Sequence, residues 1–117
     1  MRKSVDDALM DALSPLFPGR VYPNTYTGDA LEYVTTNFTA LPQVYGEKGP
    51  AAARYLVNVH WYLPAKQNPN AQKVTISAAL FAEGFTWPSI ENAGDKEGQH
   101  WVFECEYANG GGVYGQT

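Results

Sequence analysis

The sequence predicts an α+β domain, an antiparallel or mixed β-sheet packed against two α-helices in the order α-β-β-β-α-β-β. Three observations carry this. Residues 53–63 alternate, with Tyr55, Val57, Val59, Trp61 and Leu63 on one parity and Arg54, Asn58 and His60 on the other. A pleated strand sends successive side chains to opposite faces, so this stretch lays one apolar stripe on a core. Two further stretches alternate and two others carry apolar residues at helical spacing. The aromatic content of 14%, with eight tyrosines and three tryptophans, favours sheet over helix bundle. Leu56 and Tyr62 interrupt the polar parity of the 53–63 strand, which predicts a second sheet face that is partly covered.

The first helix is expected over residues 4–16, where Val5, Leu9, Ala12, Leu13 and Leu16 gather on one side. Ser4 is its N-cap, Asp7 answers the cap and the positive helix end, and Pro18-Gly19 stops it. Residues 20–23 make no more than an edge strand, because Pro23 lacks a backbone donor. Residues 24–29 are turn-like, and a strand resumes over 31–38. Residues 39–52 carry Pro42, Gly46, Gly49 and Pro50 around Val44 and Tyr45, the composition of a long exposed hairpin arm or loop between antiparallel strands.

After the 53–63 strand, Asn70 is expected to cap a second helix running to about residue 83. Its buried face is predicted as Ala71, Val74, Ala78 and Phe81, with Ser77 beside them and Gly84 as the left-handed stop. Residues 85–90 read as a strand weakened by Pro88, 91–99 as a polar loop, and 101–107 as the last strand. The chain forms a single domain over 1–117, and 109–117 is expected to be a flexible tail.

Candidate chemistry is sparse. Cys105 is the sole cysteine, so an intrachain disulfide and a Cys-rich zinc site are both excluded, and its aromatic neighbours mark it as a buried filler. His60 and His100 can approach Glu104 or Glu106 if their strands are neighbours, but the spacing demands no converging ligand set. Glu104 and Glu106 read as a solvated pair answering Arg54 across the sheet. Trp61, Trp87 and Trp101 offer an aromatic cage, with core packing as the default. Gly110-Gly111-Gly112 is followed by no Lys-Ser or Lys-Thr, so it is not a phosphate loop. The residues thus predict no catalytic, cofactor-binding or metal site and no enzyme. The net charge of -4 argues against a sequence-independent grip on DNA phosphates. No apolar run approaches the roughly 20 residues that span a bilayer, and the N-terminus turns acidic before any apolar core, so no signal peptide is expected.

The leading helix, Gly19-Arg20-Val21-Tyr22-Pro23, the Glu32-Tyr33-Val34 strand, the strand ending His60-Trp61-Tyr62 and the Ala79–Gly84 run Ala-Leu-Phe-Ala-Glu-Gly follow one another in a telling order. In that layout the chain resembles the tail-completion, or tail-terminator, head-tail joining family of long-tailed bacteriophages and prophages. The resemblance spans nearly the whole chain and rests most on Arg20-Val21-Tyr22-Pro23 followed by the Tyr33-Val34 strand. It implies a structural virion assembly protein, a homo-oligomer closing into a hexameric ring at the head-proximal end of the tail. It also implies tail-tube and head-connector proteins as partners, no cofactor, no sequence-specific nucleic-acid binding and no membrane. The implied locations are the host cytoplasm during assembly and then the virion. Val44, Tyr45, Glu47 and Lys48 are the expected oligomer interface, since a monomer gains little by exposing an apolar tip. The alternatives are a small-ligand-binding α+β domain and a regulatory or inhibitor protein using the 39–52 loop.

Overall fold

The computed structural model describes residues 3–46 and 49–108. Its elements are α1 (Val5–Leu13), β1 (Val21–Pro23), β2 (Tyr33–Gly46), β3 (Gly49–Leu63), α2 (Asn70–Ala82), β4 (Ser89–Asn92) and β5 (Gln99–Ala108). They appear in the expected order. The five strands form one mixed sheet, β1-β2-β3-β5-β4, in which β1 runs parallel to β2 and every other pair is antiparallel. Both helices pack on the same sheet face and share one core with it.

α1 starts where the sequence places it, with the Asp7 amide donating to Ser4 Oγ at 3.1 Å and Asp6 and Asp7 in the first turn. It ends at Leu13 rather than Leu16. The amides of Leu16 and Phe17 both turn back to the Leu13 carbonyl, and Phe17 drops into the core before Gly19 takes φ +70°. Lys3 Nζ reaches Asp11 and Glu83, both at 2.6 Å, bracing α1 against the exit of α2.

β3 is the middle strand, and Val57, Val59, Trp61 and Leu63 are buried as their alternation predicts. Val34 comes to them from β2, and Phe103, Cys105 and Tyr107 from β5. The same face loses cover toward residue 54: Tyr55 is half-buried and stands edge-on to Phe38, which is exposed. Beyond the pairs Leu41↔Arg54 and Arg54↔Ala108, β2 and β3 continue together, and among the described residues no third strand lies beside them. The 39–52 segment is therefore a hairpin arm continuous with the sheet, with register shifts on either side of Val44. A 15-residue strand rises about 50 Å at ~3.3 Å per residue. The molecule measures 53 × 23 × 23 Å, so the hairpin sets its length. Glu47 and Lys48, and the expected tail at 109–117, lie outside the described residues. For Val44 and Tyr45 the backbone pairs with Ala52 and Pro50.

α2 departs from expectation twice. Asn70 is its first helical residue rather than its cap, and the side chain that meets the helix start is Asn68, whose Oδ1 accepts the Asn70 amide at 2.9 Å. The buried face is also different. Ile76, Ser77 and Leu80 point into the core, whereas Val74 and Phe81 are 62% and 58% exposed and Ala71 and Ala78 face solvent. The helix stop decides this. Gly84, at φ 103°, ends the helix with its amide on the Phe81 carbonyl and the Phe85 amide on the Leu80 carbonyl. That closure sets the residue after the glycine against the helix residue five before it, so buried Phe85 pulls Leu80, not Phe81, inward. Ser77 Oγ is buried and has no hydrogen-bond partner among the described residues. Ser77→Ala removes an unsatisfied hydroxyl and improves helix propensity, so it should stabilise the protein by about 1 kcal/mol, read as a higher denaturation midpoint.

The 85–90 strand and 91–99 loop are also corrected. The Thr86 amide donates to the Glu106 carbonyl of β5 and Thr86 Oγ1 accepts the Glu106 amide. The regular ladder with β5 nevertheless runs only from Ser89 to Asn92, because Phe85 is committed to the core and Pro88 is buried. A tight turn follows in which Asn92 Oδ1 accepts the Gly94 amide and Asp95 Oδ1 the Glu97 amide. A Cβ at Gly94 would lie 2.9 Å from the Gly98 carbonyl oxygen, so this turn needs glycine there.

Candidate functional site

The sheet face away from the helices bears Tyr33, Thr35 and Asn37 of β2, Asn58, His60 and Tyr62 of β3, and His100, Val102 and Glu104 of β5, matched by register. No helix covers it. Leu56 is 40% exposed on this face, and Tyr62 is shielded by neighbouring rings rather than by a second layer of structure. The partly covered second face expected from Leu56 and Tyr62 is therefore a row of aromatic side chains.

That row crosses the sheet. Tyr22 stacks on Tyr26 at 4.4 Å between ring centres, Tyr26 meets Tyr33 at 4.5 Å, and Tyr33 stacks on Tyr62 at 4.6 Å. Tyr62 stacks on His100 at 4.1 Å, and His100 meets His60 at 5.0 Å. Tyr26 is held in place by the Ala30 amide, which donates to its hydroxyl at 2.9 Å. Since each ring covers the next, the row offers ring edges and polar atoms to solvent rather than open faces for a planar ligand. A hollow of about 520 Å³ opens at the end of this row, lined by Tyr33, Tyr62, Leu63, Gly94, Asp95 and His100 among others. Burial raises the Tyr33 hydroxyl pKa, with Tyr62 and Tyr26 adding to it, so Tyr33 stays neutral at ordinary pH.

His60 and His100 do come together, but with each other and not with the two glutamates. His60 Nδ1 lies 2.8 Å from His100 Nε2, and His60 Nε2 lies 3.3 Å from Asn37 Nδ2. Burial lowers both imidazole pKa values below the ordinary 6.5, and for His100 the neighbouring His60 lowers it further. Glu106, not Glu104, answers Arg54: Arg54 Nε is 3.1 Å from Glu106 Oε1, close enough for an ion pair though not aligned for a hydrogen bond. Register explains the choice, since Glu106 sits opposite Leu56, diagonal to Arg54, whereas Glu104 sits opposite Asn58. Among the described residues no three His, Cys, Asp or Glu side chains gather as a metal site would require.

The protein-family models and the curated proteins contain no match to this chain.

The three tryptophans are dispersed. Trp61 is in the core, tilted against Phe17 at 6.0 Å, with Nε1 donating to Glu32 Oε2 at 2.9 Å. Trp101 is half-buried, with Lys73 Nζ 3.8 Å above its ring and Nε1 on Gln99 Oε1. Trp87 is 54% exposed against Phe81, contrary to the expectation of core packing. Cys105 is buried as the filler its neighbours suggested, and burial pushes its thiol up to about 12, which keeps it protonated and unreactive at neutral pH. The glycines at 110–112 lie outside the described residues. Sequence reasoning missed the ring row and the Trp61–Glu32 bond. The outward parity of Tyr33, His60 and Tyr62 was visible, but their contact needed the β2–β3 register.

Proposed function

We propose that this chain is a structural assembly subunit, a tail terminator that closes into a ring at the head-tail junction of a long-tailed phage or prophage. The observation that supports this most is the hairpin arm. A two-stranded ribbon is marginally stable alone in water, and among the described residues no further strand pairs with either of its long edges. An arm of this kind gains stability by packing on a neighbour. Head-to-tail contacts of that sort close a ring when the rotation per subunit divides the circle. The α-β-β-β-α-β-β order adds support, since it is the layout on which the tail-terminator resemblance rests. On this reading the chain has no turnover, its partners are tail-tube and head-connector proteins, and the ring is a hexamer.

Residues 42–53 can be replaced by a two-residue Asn-Gly turn, because Leu41 and Arg54 are already paired at the root of the arm. Light scattering after size separation should find one discrete multimer for the full chain and a monomer for the shortened one, with unchanged far-UV circular dichroism. A full chain that stays monomeric up to high concentration would overturn the ring. A shortened chain with multimers of the original size would move the contact away from the arm.

A second reading, a small-ligand-binding domain, is favoured by the hollow beside Tyr33, Tyr62 and His100, whose size falls within the range of ligand pockets. The same mass measurement separates the two, since a binder of this kind has no need of a discrete multimer.

A further inference from the structure

We infer that Asn58, Asn37, His60 and His100 form a directional, pH-sensitive clasp that ties β2, β3 and β5 together while both imidazoles are neutral. The direction follows from the donors. Asn58 Nδ2 donates to Asn37 Oδ1 at 3.3 Å, which leaves the Asn37 amide nitrogen facing His60 Nε2. An amide NH₂ only donates, so His60 Nε2 accepts and the ring's single proton sits on Nδ1. That proton points at His100 Nε2, 2.8 Å away, so His100 carries its own proton on Nδ1. Each link in the run from Asn58 to His100 thereby requires the next to be an acceptor.

A proton added at either imidazole breaks a link. On His60 Nε2 it meets the Asn37 amide head-on, and on His100 Nε2 it meets the His60 N–H. On this face the rings are met by Thr35 and Tyr33 from β2, Tyr62 from β3, and Val102 from β5. Glu104 on β5 and Glu91, across from Val102 on β4, share this face by register, and Asp95 and Glu97 line the same hollow as His100. Among the described residues neither histidine forms an ion pair; the three pairs present join Lys3 to Asp11 and Glu83, and Arg54 to Glu106. The lowered imidazole pKa values agree with this geometry.

The sign follows from linkage. Both groups bind a proton less readily in the folded protein than in the unfolded chain. The clasp's contribution is therefore fully present above the ordinary 6.5 and starts to fall as pH drops through that value. It is gone once pH is below the folded-state pKa values. Opening frees His100 from His60, and with it the wall that His100 and Tyr62 give to the hollow, so an acid shift would reshape that end of the sheet.

Nitrogen-detected NMR of the imidazoles in the intact chain is the first test. The clasp requires an Nδ1–H tautomer on His60 at pH 7.5, and midpoints below 6.5 for both rings, with the pair losing its protons in coupled steps. An Nε2–H tautomer on His60, or a midpoint at or above 6.5 for both rings, would overturn it. The second test is thermal melting of the wild type and His100→Gln at pH 7.5 and 5.0. The glutamine carbonyl still accepts the His60 proton but cannot be charged, so the wild type should lose more melting temperature on acidification than the variant. Equal losses in the two proteins would also sink the clasp, because every carboxylate is common to both.

Discussion

Val59→Asp should leave the protein unfolded, or nearly so, at room temperature and neutral pH. Val59 is fully buried at the centre of the middle strand, opposite Thr36 on β2 and Phe103 on β5. The core on its side also includes Leu9 and Leu13 of α1 and Ile76 and Leu80 of α2. No cation of the described core can pair with a carboxylate placed there. The aspartate would have to stay protonated or desolvate a charge, and the valine methyls would be lost as well. Together these cost on the order of 4–5 kcal/mol or more, against roughly 5–15 kcal/mol for a whole small domain. Val59→Ala, which loses only the methyls, should cost about 2 kcal/mol and remain folded. Urea denaturation of the pair is the measurement. An aspartate variant with the wild-type midpoint would mean that β3 is not the core strand.

Leu80→Asp and Phe81→Asp, one residue apart on α2, should differ by at least ~3 kcal/mol in the isolated subunit. Leu80 is fully buried and its carbonyl accepts the Phe85 amide at the helix stop, while Phe81 is 58% exposed beside Trp87. A charge at position 80 meets the same desolvation cost as at position 59, whereas at position 81 it gives up only the ring contact with Trp87, about 1 kcal/mol. The pair therefore reports directly which face of the helix lies on the sheet. Equal destabilisation would mean that Phe81 is also packed. Greater damage at 81 than at 80 would restore the face that the Ala71, Val74, Ala78 and Phe81 spacing predicts. The comparison belongs in dilute conditions, so that any loss of self-association at position 81 does not enter the denaturation midpoint.

The clasp and the arm show how far the candidate sites could be read in the chain itself. The arm was legible as a Gly- and Pro-punctuated segment between two alternating stretches, but composition alone left hairpin and loop equally open. The meeting of His60 with His100 was half legible. Both sat where neighbouring strands would bring them close, yet Glu104 and Glu106 were equally eligible partners until the register put Tyr62 opposite His100 and Val102 opposite His60. The Arg54–Glu106 pair turned on the same register. Nothing in the spacing pointed to Tyr22 and Tyr26 joining the ring row, because Tyr26 lies in the turn after β1 and reaches the sheet only through the fold.

By itself the sequence determined what neighbours along the chain decide: the order of helices and strands, the Ser4 cap of α1, the buried parity of β3, the edge position of β1 and the filler role of Cys105. Each depends on dihedral preference, capping or side-chain periodicity over a few residues, all of which act locally. Tertiary structure alone decided the face of α2, the start of β4, the exposure of Trp87 and the partners of the two histidines. The α2 sequence carries two apolar stripes of similar merit, and periodicity has no way to rank them. The Gly84 closure and the burial of Phe85 choose the one containing Leu80, and strand register chooses the imidazole pair, because a side chain's partner is set by which backbone lies beside it.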